Sequence, residues 1–240
     1  MFKSALPAIV LALCSLHVSD AAAITIIFQE GTLLPGGGAY TGTQDTEIQQ
    51  GDPTNSFGSN GQVRVDSLHL GGDVQGLLRF DNLFGALPDQ IPLGSTIISA
   101  VLTLDVIDSS NFPIGTISIF QMTTAWSESS TWNSLVSGVG IGTDTVASAD
   151  DAHTAELIAL TTWNVQASLQ AWSNGDSNLG WAIFNDDTDG IQFTSSEGAT
   201  ITARPLLTVD FTPVPEPGSL ALAGLAGAAA LCARRLRRSS

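Results

Sequence analysis

The chain has 240 residues, 23 of them acidic and only eight basic, for a formal net charge of −15. Between Ile24 and Thr212 the imbalance sharpens: Arg64, Arg79 and Arg204 face 21 carboxylates once Asp20 and Glu216 are set aside, a formal charge of −18. Such a surface repels phosphate backbones and anionic lipid, which excludes DNA or RNA as a partner, and it suits divalent cations or uncharged glycans. Cys14 and Cys232 both lie outside this segment, so it can hold neither a disulfide nor a thiolate metal site. A body of about 190 residues is large enough to rest on an apolar core alone.

The first element is a leader. Lys3 supplies a positive start, Ala5 to Leu16 is apolar, and Ala21-Ala22-Ala23 offers small residues for cleavage before Ile24. Charge, apolar run and small residues in that order predict a signal peptide over 1–23.

The body that follows, 24–212, reads as β structure. Gln62 to Leu68 alternates, with Val63 and Val65 on one face and Arg64 and Asp66 on the other. Further strands are predicted at Gly76–Phe80, Ile97–Val106 and Thr116–Met122, and in Ile97–Val106 the residues Ile98, Ala100, Leu102, Leu104 and Val106 share one side. Ala155–Leu160, Gly180–Phe184, Ile191–Thr194 and Leu206–Phe211 complete the set. The loops carry turn formers such as Pro35-Gly36-Gly37-Gly38, Gly71-Gly72-Asp73 and Asn174-Gly175-Asp176. Only Trp163 to Trp172 departs from this pattern. There Val165, Leu169 and Trp172 fall at helical spacing and predict one short helix. Many short strands with a single helix predict an all-β fold, an antiparallel β-sandwich of jelly-roll type.

An ordered series of short motifs runs through this body. Asp45-Thr46-Glu47-Ile48 and Gly51-Asp52-Pro53-Thr54-Asn55 come first, then Leu77-Leu78-Arg79-Phe80-Asp81 and Pro92-Leu93-Gly94-Ser95-Thr96. Thr124-Ala125-Trp126-Ser127-Glu128, Thr131-Trp132-Asn133, Ser195-Ser196-Glu197 and Arg204-Pro205-Leu206-Leu207 follow. The series resembles the DNRLRE domain over about Thr25 to Phe211, although the string that gives that family its name is absent. The resemblance implies an extracellular β-sandwich similar to carbohydrate-binding modules, some of which bind alginate.

Several side chains are candidates for function. The five tryptophans all fall in the second half. Trp172 and Trp181 sit in apolar patterns, whereas Trp126 and Trp132 flank the polar stretch Ser127 to Thr131, so these two are expected to be exposed and able to stack on a sugar ring. Asn185, Asp187 and Asp189, followed by Gly190, place oxygen ligands at alternate positions, as in a loop around Ca²⁺; a plain solvated turn is the alternative. Asp150, Asp151 and His153 read as a surface loop. Arg79, inside an apolar strand, needs a carboxylate or carbonyls and is expected to pin the sandwich internally; Arg204 is expected to pin the start of the last strand. His69 and His153 lie in no recognisable nucleophile setting, so a non-catalytic protein is expected.

The tail is the last element. Pro215-Glu216-Pro217 precedes a nearly charge-free run from Gly218 to Ala233, which Arg234, Arg235, Arg237 and Arg238 close. The prolines separate this unit from the body, and the arginines favour the cytoplasmic side of a membrane. As a helix the sixteen residues of the run would reach about 24 Å, short of the roughly 30 Å hydrocarbon core, which suits transient insertion in the inner membrane. The arrangement over 213–240 resembles the PEP-CTERM sorting signal, which implies recognition by an exosortase-type membrane protease. The expected whole is an exported protein of the cell surface or extracellular matrix that binds polysaccharide. The alternatives are a structural matrix component stabilised by divalent cations and a polysaccharide-degrading enzyme.

Overall fold

Alternation of apolar and polar side chains builds nearly every strand. In the computed structural model, residues 22–107 and 115–214 are described; residues 1–21 of the leader and the sorting residues Pro215 to Arg238 lie outside them. In chain order the strands are β1 (Ile24–Gln29), β2 (Thr43–Gln49), β3 (Gln62–His69), β4 (Gly72–Phe80), β5 (Thr96–Val106) and β6 (Ile117–Gln121). They continue with β7 (Asp151–His153), β8 (Ala159–Asn164), β9 (Trp181–Asn185), β10 (Ile191–Thr194) and β11 (Leu206–Thr212), and the helix α1 (Gln166–Ser173) separates β8 from β9.

The strands pair antiparallel in two layers. One layer runs β1–β11–β5–β8, with β10 meeting β5 at Val106; the other runs β2–β4–β9–β6–β7. Strand β3 belongs to both. Its Val63 and Val65 pair with Phe193 and Ile191 of β10, whereas Asp66 and His69 pair with Val74 and Gly72 of β4. Phe28, Leu102, Leu104 and Val209 from the first layer pack in one cluster with Leu78, Phe80, Ile119 and Trp181 from the second. The fold is therefore an all-β antiparallel sandwich with one short α-helix among the described residues.

Three local expectations are corrected. Ile97, not Ile98, joins Ala100, Leu102, Leu104 and Val106 in the core, and Ile98 is half-exposed. The register slips where Asp210 faces Ser99 but Phe211 faces Ile97. This β-bulge leaves Ile98 unopposed and reverses the alternation. The strand expected over 155–160 begins only at Ala159, because Ile158 is held at φ 52°, outside strand geometry. Trp163 is the inward residue of β8 rather than the start of the helix, and α1 begins after Val165.

Strand β2 escapes the alternation pattern altogether. Its sequence TQDTEIQ is mostly polar, yet six of its seven residues are buried. Among the described residues its outer edge has no strand partner, and flanking loops bond its residues instead: Thr43 N–H donates to Glu30 Oε2 at 3.0 Å, and Asp45 Oδ2 accepts from Ser196 N–H at 2.7 Å. The outer face of its layer is also covered. Ile48, Leu77 and Ala182 pack under Met122, Trp126, Trp132, Leu135 and Val139 from the long β6–β7 connection, forming a second core cluster.

Helix α1 clamps the first residues of β5. Gln170 Oε1 accepts from Ile97 N–H at 2.9 Å, and Gln166 Nε2 donates to Ile97 O at 2.9 Å. Ser173 O accepts from Gly94 N–H at 2.7 Å, and the Ser173 hydroxyl donates to Ser95 O at 2.7 Å. These bonds set the helix end, and with it Trp172, against the loop that leads into β5.

Candidate functional site, a groove at one end of the sandwich

Three connections meet beyond that helix end: β1–β2, β4–β5 and α1–β9. Between them lie two cavities, of about 330 and 310 Å³, that share Asn82. Each is at the lower end of the roughly 300–1,000 Å³ range of small-ligand clefts. The first is floored by Leu83, Phe84 and Trp172 and rimmed by Leu93, Asp176 and Asn178. The second is lined by Leu34, Tyr40, Thr41, Leu87, Asp89 and Gln90.

The groove is held open by bonds between its loops. Asp89 accepts from Gly36 N–H, joining the β4–β5 and β1–β2 connections. The Tyr40 hydroxyl donates to Asp81 O at 2.8 Å, and its ring packs edge-on to Phe28 and parallel to Phe80. Burial holds that phenol far above its ordinary pKa, so it stays a donor. Asn178 Nδ2 donates to Phe80 O at 2.7 Å, and Gln90 Nε2 to Asn82 O at 3.1 Å. Asn82 sits at φ 58°, a left-handed conformation that asparagine tolerates better than most side chains, and it turns the chain sharply as β4 ends.

Polar capacity is left over in this shell. Among the described residues the side chains of Asn82 and Asp176, both exposed, make no hydrogen bond. Trp172 lines the first cavity, but its indole N–H is closed off from solvent and has no partner among the described residues. An amide and a carboxylate at the mouth of an apolar, partly aromatic cavity can bind a polyhydroxylated ring, whose hydroxyls need partners and whose C–H face needs apolar contact.

Residues 39–210 match the family described as carbohydrate-binding module family 96, and residues 213–238 match the PEP-CTERM protein-sorting motif. The chain belongs to carbohydrate-binding module family 96. No curated protein matches it. The family-96 match lies inside the stretch that resembles the DNRLRE domain, and the family is one of binding modules rather than catalysts. The sorting motif is a signal for export.

Within this family-96 module the tryptophans expected at the surface are buried. Trp126 is 6% and Trp132 7% exposed, because the β6–β7 connection folds back over the outer face of β4 and β9 and carries both into the second core. Trp126 donates to Leu179 O at 2.8 Å, and the Arg79 guanidinium carbon lies 5.1 Å from its ring centre. Trp132 packs on Gly138, where an added Cβ would come within 2.7 Å of the ring. Trp163, Trp172 and Trp181 are fully buried as well, so tryptophan faces form no platform for sugar.

Asn185, Asp187 and Asp189 are brought together in one tight turn after β9, through an amide donor. Asn185 Nδ2 donates to Asp187 O at 2.6 Å and Asp189 O at 2.8 Å, so it faces the carbonyls a cation would contact. The Asp187 carboxylate accepts from Thr188 N–H at 2.6 Å. Among the described residues no group of three or more His, Cys, Asp or Glu is placed to hold a metal ion.

Arg79 and Arg204 do what burial demands. Arg79 Nε bonds Asp81 Oδ1 at 2.7 Å, and its other nitrogens reach Trp126 O and Gln44. Arg204 donates to Gly198 O at 2.8 Å and Glu30 O at 3.2 Å just before β11. Asp150 is half-buried: it accepts from Ser168 and, at 3.0 Å, from Trp181 Nε1, and burial raises its pKa. Asp151 accepts from Asn164 N–H at 2.8 Å, and His153 stacks on Trp163 with centroids 5.1 Å apart.

The groove residues were not singled out by sequence. Asn82, Asp89, Asp176 and Asn178 belong to loops far apart in the chain, and only Asn174-Gly175-Asp176 gave a signal, that of a turn.

Proposed function

We propose that the module, residues 24–212, binds polysaccharide in the loop-end groove and acts outside the cell without catalysis of its own. The observation that carries this reading is the first cavity, whose lining sets the exposed, unengaged side chains of Asn82 and Asp176 beside the apolar Leu83, Phe84 and Trp172. Sugar hydroxyls would bond the amide and the carboxylate, and the apolar floor would take the pyranose C–H face. The leader over 1–23 and the tail over 213–240 would send the chain through the inner membrane to an exosortase-type protease, and then to the cell surface or matrix. Among the described residues no helix is long and apolar enough to cross a membrane. Affinity electrophoresis in gels containing glycan tests the binding: retardation that is lost in Asn82→Ala supports it, and no retardation in any glycan gel overturns it.

A second reading draws on the 21 carboxylates. The domain would be a structural component of the matrix whose acidic surface is stabilised by divalent cations such as Ca²⁺. A melting midpoint that EDTA leaves unchanged would remove that role.

A further inference from the structure

A sheet edge must be paired or guarded, since its free N–H and C=O groups are a template for another strand. In the second layer both edges are guarded: flanking loops bond β2 at Thr43 and Asp45, and β7 is three residues long and carries Asp151 and His153. Strand β1, at the edge of the first layer, has neither device. It pairs with β11 alone, so among the described residues half of its main-chain groups face outward with no strand partner. Its sequence ITIIFQ holds no charge, proline or glycine. Ile24 is 46% and Ile27 45% exposed, and Thr25 is exposed too.

Charge and register decide the occupant. The body carries a formal charge of −18, so a second copy approaches most easily where carboxylates are few. On the outer face beside β1 the register sets Ile27 next to Thr208 and Val101, and the carboxylate of the next row, Asp210, accepts from the Thr25 hydroxyl. A two-fold axis at Ile27 makes the strand its own partner. Ile27 then stands opposite Ile27 of the second copy, Ile26 opposite Phe28 and Thr25 opposite Gln29, so outward side chains meet outward ones and inward meet inward. We infer that β1 is an interaction surface for a second copy of this chain, which adds its own β1 antiparallel about that axis and joins two first layers into one sheet. Six residues at about 3.4 Å each give a contact about 20 Å long. One strand pair of that length falls short of the roughly 800 Å² per partner of a standard interface, so the dimer is weak and concentration drives it.

Cysteine cross-linking of the full chain tests the pairing, with Cys14 and Cys232 replaced by serine and detergent present to keep the apolar ends dispersed. Opposed Cα atoms of an antiparallel pair lie about 4.5–5.5 Å apart, within the span of a disulfide. On oxidation with copper–phenanthroline, Ile27→Cys should give a covalent dimer in several-fold higher yield than Leu160→Cys, a more exposed site on β8. The yield should rise between about 0.05 M and about 0.5 M salt, because screening weakens the repulsion of two acidic bodies. Ile27→Lys sets like charges opposite each other and should lower the dimer fraction in sedimentation several-fold while the melting midpoint holds. Equal cross-linking at positions 27 and 160 would overturn the inference, since collision or the apolar ends would then account for it. A dimer fraction unmoved by Ile27→Lys would overturn it too, and so would a chain that stays monomeric at every concentration and salt.

Discussion

The indole rings of Trp172 and Trp181 lie with centroids 4.8 Å apart and planes tilted by 51°, yet only one of their N–H groups is paired. Trp181 donates to Asp150 Oδ2 at 3.0 Å. Trp172, one ring nearer the groove, has an equally buried N–H and no acceptor. A buried donor left unpaired costs about 1–3 kcal/mol, so the fold tolerates in Trp172 a defect that it removes in Trp181. Trp163 carries a buried, unpaired indole N–H of the same kind.

This contrast predicts opposite outcomes for one substitution at two neighbouring sites. Trp181→Phe loses volume and a satisfied bond, and should cost about 2–3 kcal/mol of stability. Trp172→Phe loses similar volume but also deletes the unpaired donor, so it should cost about 1 kcal/mol. Glycan affinity should follow the reverse order, with the larger loss in Trp172→Phe. Chemical denaturation and glycan titration of both variants measure the two effects.

Acid should stabilise the domain. Asp45 is buried under Ser196, and desolvation raises its pKa from the ordinary 3.8 to about 7, with nearby Glu197 and Glu128 adding to the rise. Burial also raises Glu128 and Asp150. Each of these carboxyls holds its proton more tightly in the folded state than in the unfolded chain. Their contribution to stability is complete below the ordinary carboxylate pKa and is lost as pH rises through the folded values, for Asp45 between about 4 and 7. The melting midpoint should therefore climb as pH falls from 8 to 5. In Asp45→Asn, where an amide oxygen still accepts from Ser196, that climb should flatten by on the order of 3 kcal/mol. An unchanged pH profile in the variant would contradict the assignment.

Arg79 ties β4, β2 and the Trp126 loop together through a planar fork and a ring contact. A lysine keeps the charge but not the fork, so Arg79→Lys should lower stability by about 2 kcal/mol. Arg79 lines neither cavity, so glycan affinity should not change. A combined loss of stability and affinity would instead place Arg79 in the binding site.

Much of the fold was legible because its strands alternate. Val63 and Val65 in β3, Leu102 to Val106 in β5 and Val209 in β11 point inward as their spacing predicts. Strand β2 was illegible because polar residues are buried there, satisfied by loops that arrive from over a hundred residues away, as Ser196 does at Asp45. The phase at Ile97 and Ile98 was hidden because a bulge leaves no trace in composition. The binding surface was the hardest to read. Local polarity around Ser127 placed Trp126 and Trp132 outside, whereas a long connection folded over a sheet face drew both inside. The groove depends on Asn82 and Asp176 from two loops meeting Trp172 of α1, and no local spacing records such a meeting.

The most direct test is a nuclear magnetic resonance titration of the ¹⁵N-labelled full chain with a glycan hexamer, following the Trp172 indole N–H. A glycan seated in the groove is predicted to move this signal, because the Trp172 ring lines the first cavity, together with the amides of Asn82, Asp176 and Asn178, while the Trp181 indole N–H stays in place. A bound glycan that leaves these signals still, and instead shifts Thr103 and Thr208 on the outer face of β5 and β11, would contradict it.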